Sequence, residues 1–237
     1  MHTHRSTGFL GLPRRQLLRL ALAGVAAAAL GACSQGPQPA AESPSTDEGG
    51  SPPVQPSTAP TRSTPARVLV AYFSRPGENY NNGGRIWLKV GNTEVVATMI
   101  ADLVPCDVYR IEAAEPYSDN YDDTVARNVR EQNADARPAI ANPLPSIDQY
   151  DVVLLGSPIW NVRAPMIMST FTDKLDFTGK TVHPFTTCAM SGLGTTERDY
   201  ARTCAGATIA EGLAVRGEQA QQARPQVTDW LERIGLR

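Results

Sequence analysis

Residues 71–94 read AYFSRPGENYNNGGRIWLKVGNTE, the end of one apolar run and the start of another with a polar segment between them. It opens as the end of an apolar run that starts at Val68 and closes on Gly91-Asn92-Thr93, directly before an apolar stripe of helical period formed by Val95, Val96, Met99, Ile100 and Leu103. A strand that passes through a short Ser/Thr/Gly turn into a helix makes a cradle for an anion, because the first backbone N–H groups of the helix are free and the dipole points its positive end there. Here Ser74 and Arg75 lie on one side of that turn and Gly91 on the other, with Pro76–Val90 set between them. Asn92 or Thr93 is placed to cap the helix.

Beyond this segment, strand and helix patterns alternate to the end of the chain. Strands are expected at 67–73 (RVLVAYF), 107–113 (DVYRIEA), 151–157 (DVVLLGS), 181–187 (TVHPFTT) and, short, at 207–213 (ATIAEGL). The first and third are almost wholly apolar, as central parallel strands covered on both faces must be. Helices are expected after Gly91, over 120–136, over 164–176 with Pro165 near the first turn, and in TTERDYARTC and EQAQQARPQVTDWLERIG. Such alternation predicts an α/β fold: a doubly wound, five-stranded parallel sheet with helices on both faces. Ligands of open sheets of this type sit beyond the carboxyl ends of the strands, where strand order reverses. The loops after the first, third and fourth strands are therefore the place to look.

The loop after the third strand is GSPIWNVRAP, 156–165, in which Trp160 either offers a flat face to a ring or packs inward. The loop after the fourth is TTCAMSGLGTTERD, 186–199, small and glycine-containing, so that its backbone can come close to a planar polar ligand. Together with VLVAYFSR…GNTEVVATMIA, the segments VVLLGSPIWN and HPFTTCAMSGLGTTERDY resemble the flavodoxin-like FMN-binding family over essentially all of 67–237. The resemblance implies strand order 2-1-3-4-5 and FMN as cofactor. It implies that Ser74, Arg75, Asn92 and Thr93, with the backbone of Gly91 to Glu94, hold the phosphate. It implies that Ser157, Pro158, Ile159, Trp160 and Asn161 line the isoalloxazine, and that Thr187, Cys188, Ser191, Gly192 and Gly194 border its other side. Phosphate loops of this family run without a break, whereas here the insertion replaces the turn and Val90 stands where a hydroxyl is expected. The inserted segment, with Glu78, Asn79, Tyr80, Asn81, Asn82, Arg85 and Trp87, is expected to fold over the cofactor edge and supply a donor or part of a substrate pocket.

The N-terminal third carries an address. Arg14 and Arg15 precede an apolar run from Leu20 to Ala32 that is too short to span a bilayer, and LGAC, 30–33, resembles the lipobox of bacterial lipoproteins. Residues 1–33 are thus expected to be a twin-arginine-type lipoprotein signal ending at a lipid-modified Cys33. Residues 34–66, rich in Pro, Ser and Thr with no apolar period, are expected to form a disordered tether. The expected location is the outer face of the bacterial cytoplasmic membrane. The leader carries four arginines and no acid, so residues 34–237 hold 18 bases against 24 acids, a balance that argues against general nucleic-acid binding.

Of the other cysteines, Cys188 and Cys204 are candidates for a bridge that pins the third loop in an oxidising compartment, or for a thiol pair exchanging electrons with the flavin. No spacing suggests a metal site, and His183 stands alone in the fourth strand. Three functions are compatible with these features. The first is a flavodoxin-type carrier passing electrons to a redox partner protein or membrane quinone. The second is an FMN-dependent reductase of quinones or other small aromatic acceptors, and the third an exported binding module that has lost FMN.

Overall fold

The computed structural model describes residues 66–237. The signal expected at 1–33, and all but the last residue of the tether expected at 34–66, lie outside the described residues. The parallel sheet is built from β1 (Val68–Tyr72), β4 (Asp107–Arg110), β5 (Val152–Pro158), β6 (Thr181–Cys188), β7 (Thr208–Ile209) and β8 (Leu213–Arg216). Its order is β4-β1-β5-β6-β7, with β8 also on β6. That is the 2-1-3-4-5 arrangement, with the fifth position shared by two short strands. The single strand expected at 207–213 is corrected accordingly: β7 pairs Thr181↔Thr208 and Val182↔Ile209, the chain leaves the sheet, and β8 rejoins it from Phe185↔Leu213 to Cys188↔Arg216.

Side chains alternate along β1 and so feed two cores. Leu69, Ala71 and Phe73 join Val153, Leu155, Ile167 and Phe171 on one face, where α3 (Met166–Asp173) and α4 (Thr196–Thr203) lie. Val68, Val70 and Tyr72 join Val96, Ile100, Val227, Trp230 and Leu231 on the other, covered by α1 (Asn92–Ala101) and α5 (Arg224–Arg233). A side chain such as Leu155, wholly removed from water, stabilises the fold by about 1.5–3 kcal/mol through burial. The remaining helix, α2 (Tyr121–Asn133), starts on an Asn120 cap whose Oδ1 accepts the Asp123 N–H at 3.1 Å. Trp230 is fully buried, and its indole N–H donates to the Glu211 carbonyl at 3.3 Å.

The inserted segment is an antiparallel hairpin, β2 (Gly77–Asn81) and β3 (Gly84–Leu88). Its two-residue turn, Asn82-Gly83, has φ of 46° and 84°, the left-handed pair of a type I′ turn. Its strands form a separate two-stranded sheet and take no place in the parallel one. They are carried outside it, at the carboxyl ends of the strands.

Candidate functional site

The first turn is closed by a contact that spans twenty residues. Ser74 Oγ accepts the Glu94 N–H at 3.1 Å, so the third amide of α1 is capped from the end of β1. The cap residue itself is Gly91, in extended backbone with no side-chain cap bond, which corrects the expectation that Asn92 or Thr93 would fill that role. Thr93 is otherwise engaged: its buried hydroxyl meets that of Thr187 at 2.7 Å, tying the first turn to the fourth strand. Gly91 is required by close approach, because a Cβ there would lie 2.3 Å from Ser74 Oγ and 2.6 Å from the Arg75 carbonyl. Among the described residues no group takes the amides of Asn92 and Thr93, which face the positive end of the helix dipole. The Glu94 amide is spoken for, and its carboxylate turns away to Arg110 at 3.1 Å.

Arg75 supplies the charge of this turn. The side chain is nine-tenths buried, and its guanidinium donates to the carbonyls of Ser118 at 2.8 Å, Asp119 at 3.2 Å and Glu78. Its Nε is buried without a partner, and among the described residues no carboxylate lies within ion-pair distance. Burial pulls its pKa down, partly offset by the nearby charges of Asp119 and Glu78. A buried guanidinium bonded only to neutral carbonyls keeps its positive charge available to an anion.

These groups open into a cleft of about 240 Å³ at the carboxyl ends of the strands. Its floor carries Ser74, Arg75, Asn92 and Thr93, with Pro158, Ile159 and Trp160 on one side and Thr187 and Cys188 beside them. Trp160 answers both readings of the sequence at once. It lines the cleft while its ring packs edge-on against Phe73 at 5.6 Å and Tyr117 at 5.2 Å. Tyr117 is fixed in turn by a 2.7 Å bond to Glu131 and by Arg127 stacked 4.0 Å over its ring. A cleft wall so supported holds its orientation without a ligand.

Seven of the expected residues lie off the cleft. Gly91 and Glu94 shape the turn from behind. Ser157 is fully buried, its hydroxyl unpaired beneath the sheet rim. Asn161 turns outward, donating to Gln132 Oε1 at 3.1 Å, in a tight turn where Asn161 and Val162 have φ of 50° and 64°. Ser191 and Gly192 fold back over the end of β6: Thr186 Oγ1 donates to the Gly192 carbonyl at 3.0 Å, and the Cys188 thiol takes backbone bonds from Gly192 and Ser191. Gly194 makes its close approach to the Val162 carbonyl, where a Cβ would stand at 2.3 Å, so this glycine joins two loops and touches no ligand space.

The Cys188–Cys204 bridge is also corrected: both are free thiols. Cys188 ends β6, while Cys204 follows α4 near the amino end of that strand, as the Thr181↔Thr208 register requires. Seven residues of strand separate the two ends by about 23 Å, far beyond the reach of a disulfide. Burial raises both thiols, Cys204 up to about 12.

The hairpin forms the outer wall. Asn79 and Tyr80 line the cleft, and Tyr121 joins them from the start of α2. Glu78 Oε2 accepts the Tyr121 N–H at 3.1 Å, and Arg85 pairs with Asp122 at 2.6 Å while stacking 4.6 Å over the Tyr121 ring. Val90 is exposed and off the cleft, so the hydroxyl missing there removes nothing from the site. Sequence reasoning missed Tyr121, Ala189, Met190, Gly217 and Glu218, which also line the cleft. The last two follow β8, so the rule that ligands sit beyond strand ends would have found them had the fifth strand been carried to Arg216.

A family model described as Flavodoxin matches residues 67–234. Among solved structures, a chain assigned as a flavoprotein from Bacteroides eggerthii is 30% identical, with a TM-score of 0.59, covering 73% of this chain and 99% of that one. A second such chain, from Bacteroides uniformis, is 29% identical, with a TM-score of 0.57 and coverage of 71% and 99%. No curated protein matches the chain.

Proposed function

The chain belongs to the flavodoxin family, and from that membership we propose that it carries electrons on FMN at the outer face of the cytoplasmic membrane, tethered through a lipid on Cys33. FMN is the cofactor of the family, and the residues present fit it. The observation that carries the reading is the floor of the cleft: two free amides at the start of α1, beside the buried guanidinium of Arg75, which among the described residues has no carboxylate within ion-pair distance. That set suits a phosphate dianion. Asn79 and Tyr80, on the hairpin, close the outer side of the cleft. Pro158, Ile159 and Trp160 provide an apolar, aromatic wall for the ring.

FMN, when bound, supplies one- and two-electron transfer. The protein binds it, orients it and keeps water from one side. Tyr117 and Phe73 brace Trp160, so the wall against the ring is preset. Met190, 82% exposed, stands at the cleft mouth, where a partner would approach. Export favours a carrier over an enzyme fed by soluble nicotinamides, so the proposed partners are a redox protein or a membrane quinone. A second reading, a reductase of quinones or other small aromatic acceptors, draws on Tyr80 and Tyr121, which give the outer wall two aromatic faces. A module without FMN draws no support from the hydroxyl missing at Val90, which lies off the cleft.

The full chain, purified from membranes in detergent, is expected to be yellow and to carry FMN in a ratio of about one. A colourless chain that takes up no added FMN refutes the proposal. Turnover with quinones in place of exchange with a reduced protein donor decides for the reductase.

A further inference from the structure

Two turns among the described residues run through a left-handed pair, and they differ in the residue at its second position. At the hairpin tip the pair is Asn82-Gly83, and glycine accepts a φ of 84° without strain. In the loop after β5 the pair is Asn161-Val162, with φ of 50° and 64°, so a β-branched side chain stands where its Cβ crowds the backbone. A conformation of this kind persists only where the surrounding structure imposes it. Val162 is 56% exposed, so packing of its own side chain does not impose it.

Polar contacts from two neighbouring elements do. From the loop after β6, the Thr195 N–H donates to the Val162 carbonyl at 2.9 Å. From α2, Gln132 takes the other end of the turn. Its Nε2 donates to the Trp160 carbonyl at 3.0 Å and to Asn128 Oδ1 at 3.2 Å, while its Oε1 accepts from Asn161 Nδ2 at 3.1 Å. Both N–H groups and the oxygen of the amide are thus engaged, and Asn128, itself buried, fixes which way the amide faces. Gln132 lies off the cleft, yet what it grips is Trp160, whose ring lines the cleft, and the residue next to it. Resting on the FMN reading above, we propose that Gln132 is a positioning residue for the cofactor: it holds the Asn161-Val162 turn in its strained form, and the turn in that form keeps the Trp160 ring in the wall that FMN meets. Affinity for FMN is thereby set in part by a side chain that FMN does not touch.

A double-mutant cycle tests this on the full chain. Val162→Gly removes the strain, because glycine adopts this φ freely, and a turn without strain needs no clamp. FMN is titrated, by quenching of flavin fluorescence, into the native protein, Gln132→Ala, Val162→Gly and the double variant. Hydrogen exchange of the Trp160 amide, which closes the turn by donating to the Arg163 carbonyl at 2.8 Å, is followed in the same four proteins freed of flavin. Gln132→Ala is expected to bind FMN about tenfold more weakly, the range of the hydrogen bonds lost, and to lose protection at Trp160. Val162→Gly alone is expected to stay within about threefold of the native affinity, and the double variant to return to that range with protection restored. If Gln132 merely supports α2, the loss in Gln132→Ala is not mended by Val162→Gly, and that result overturns the proposal. Native affinity and native protection in Gln132→Ala overturn it as well, and in both cases the cofactor reading stands. If the native chain takes up no FMN, the cofactor reading fails and the positioning role goes with it.

Discussion

Strand β1 and the hairpin that comes soon after it are both short extended segments, yet they are held by opposite means. All five residues of β1 are buried, between two apolar clusters, and the strand lies in the sheet between β4 and β5. The hairpin is mostly exposed, with Trp87 63% and Ile86 42% open to solvent, and it is held at named polar points: Arg75, Glu78, Arg85 with Asp122, and Glu218. Burial is non-directional and contributes most of the stability, whereas addressed hydrogen bonds fix position at little net stability. The cleft thus has one rigid wall that the core provides and one wall that polar contacts set in place.

The sharpest test of that contrast is a cut on the buried side. Leu155→Ala, at a fully buried position, is expected to lower unfolding free energy by about 2–5 kcal/mol, read from urea midpoints. A loss below about 1 kcal/mol would mean that the sheet is not what carries the fold.

Alkaline pH comes next, and it also acts on the buried side. Burial lifts the Cys204 thiol from its ordinary value of 9.0 to about 12, with Cys188 displaced the same way. The folded state therefore keeps protons that the unfolded chain gives up. The stability is complete below about pH 9 and is lost as pH rises through the folded value, by roughly 1.4 kcal/mol per unit for a thiol so displaced. Unfolding midpoints measured from about pH 8 to 11 are expected to drop with that slope, and Cys204→Ser to flatten it. An unchanged slope in the variant assigns the loss to other groups, such as the buried phenols of Tyr117 and Tyr200, also raised by burial.

The smallest effect belongs to the hairpin. Arg85→Ala removes the exposed pair with Asp122, and it is expected to leave the urea midpoint unmoved while amides of 78–88 exchange faster. Acid is expected to act on the same region. Hydrogen bonding to Arg85 lowers Asp122, and bonds from its own N–H and Asn82 lower Glu218, so these ties are present at neutral pH and are lost as pH falls through the depressed values. A global loss of stability in Arg85→Ala would erase the distinction between the two walls.

The same contrast explains what the sequence made legible. The apolar runs at 68–73 and 152–155 dictate central strands, because burial on both faces leaves a continuous signature. The hairpin leaves no such signature, being apolar on neither face throughout; only Asn82-Gly83 marks it, a two-residue type I′ signal within a polar stretch. Asn161 read as a ring neighbour because it follows Trp160, but its partner, Gln132, is 29 residues away and set by packing of α2. Glu218 was hidden because β8 has an alternating burial pattern and follows a break in the strand. The bridge between Cys188 and Cys204 failed on topology: nearness in sequence across α4 is distance along β6 in space.

Division of the fifth sheet position also governs how the protein behaves in company. An edge strand of a sheet is an open template on which another molecule can add its own strand. Here that margin consists of pieces of two and four residues, β7 and β8, and the opposite margin, β4, has four residues. Neither gives a stranger enough rungs to zip onto, so the borders of the parallel sheet are poor templates for added strands by their own shortness.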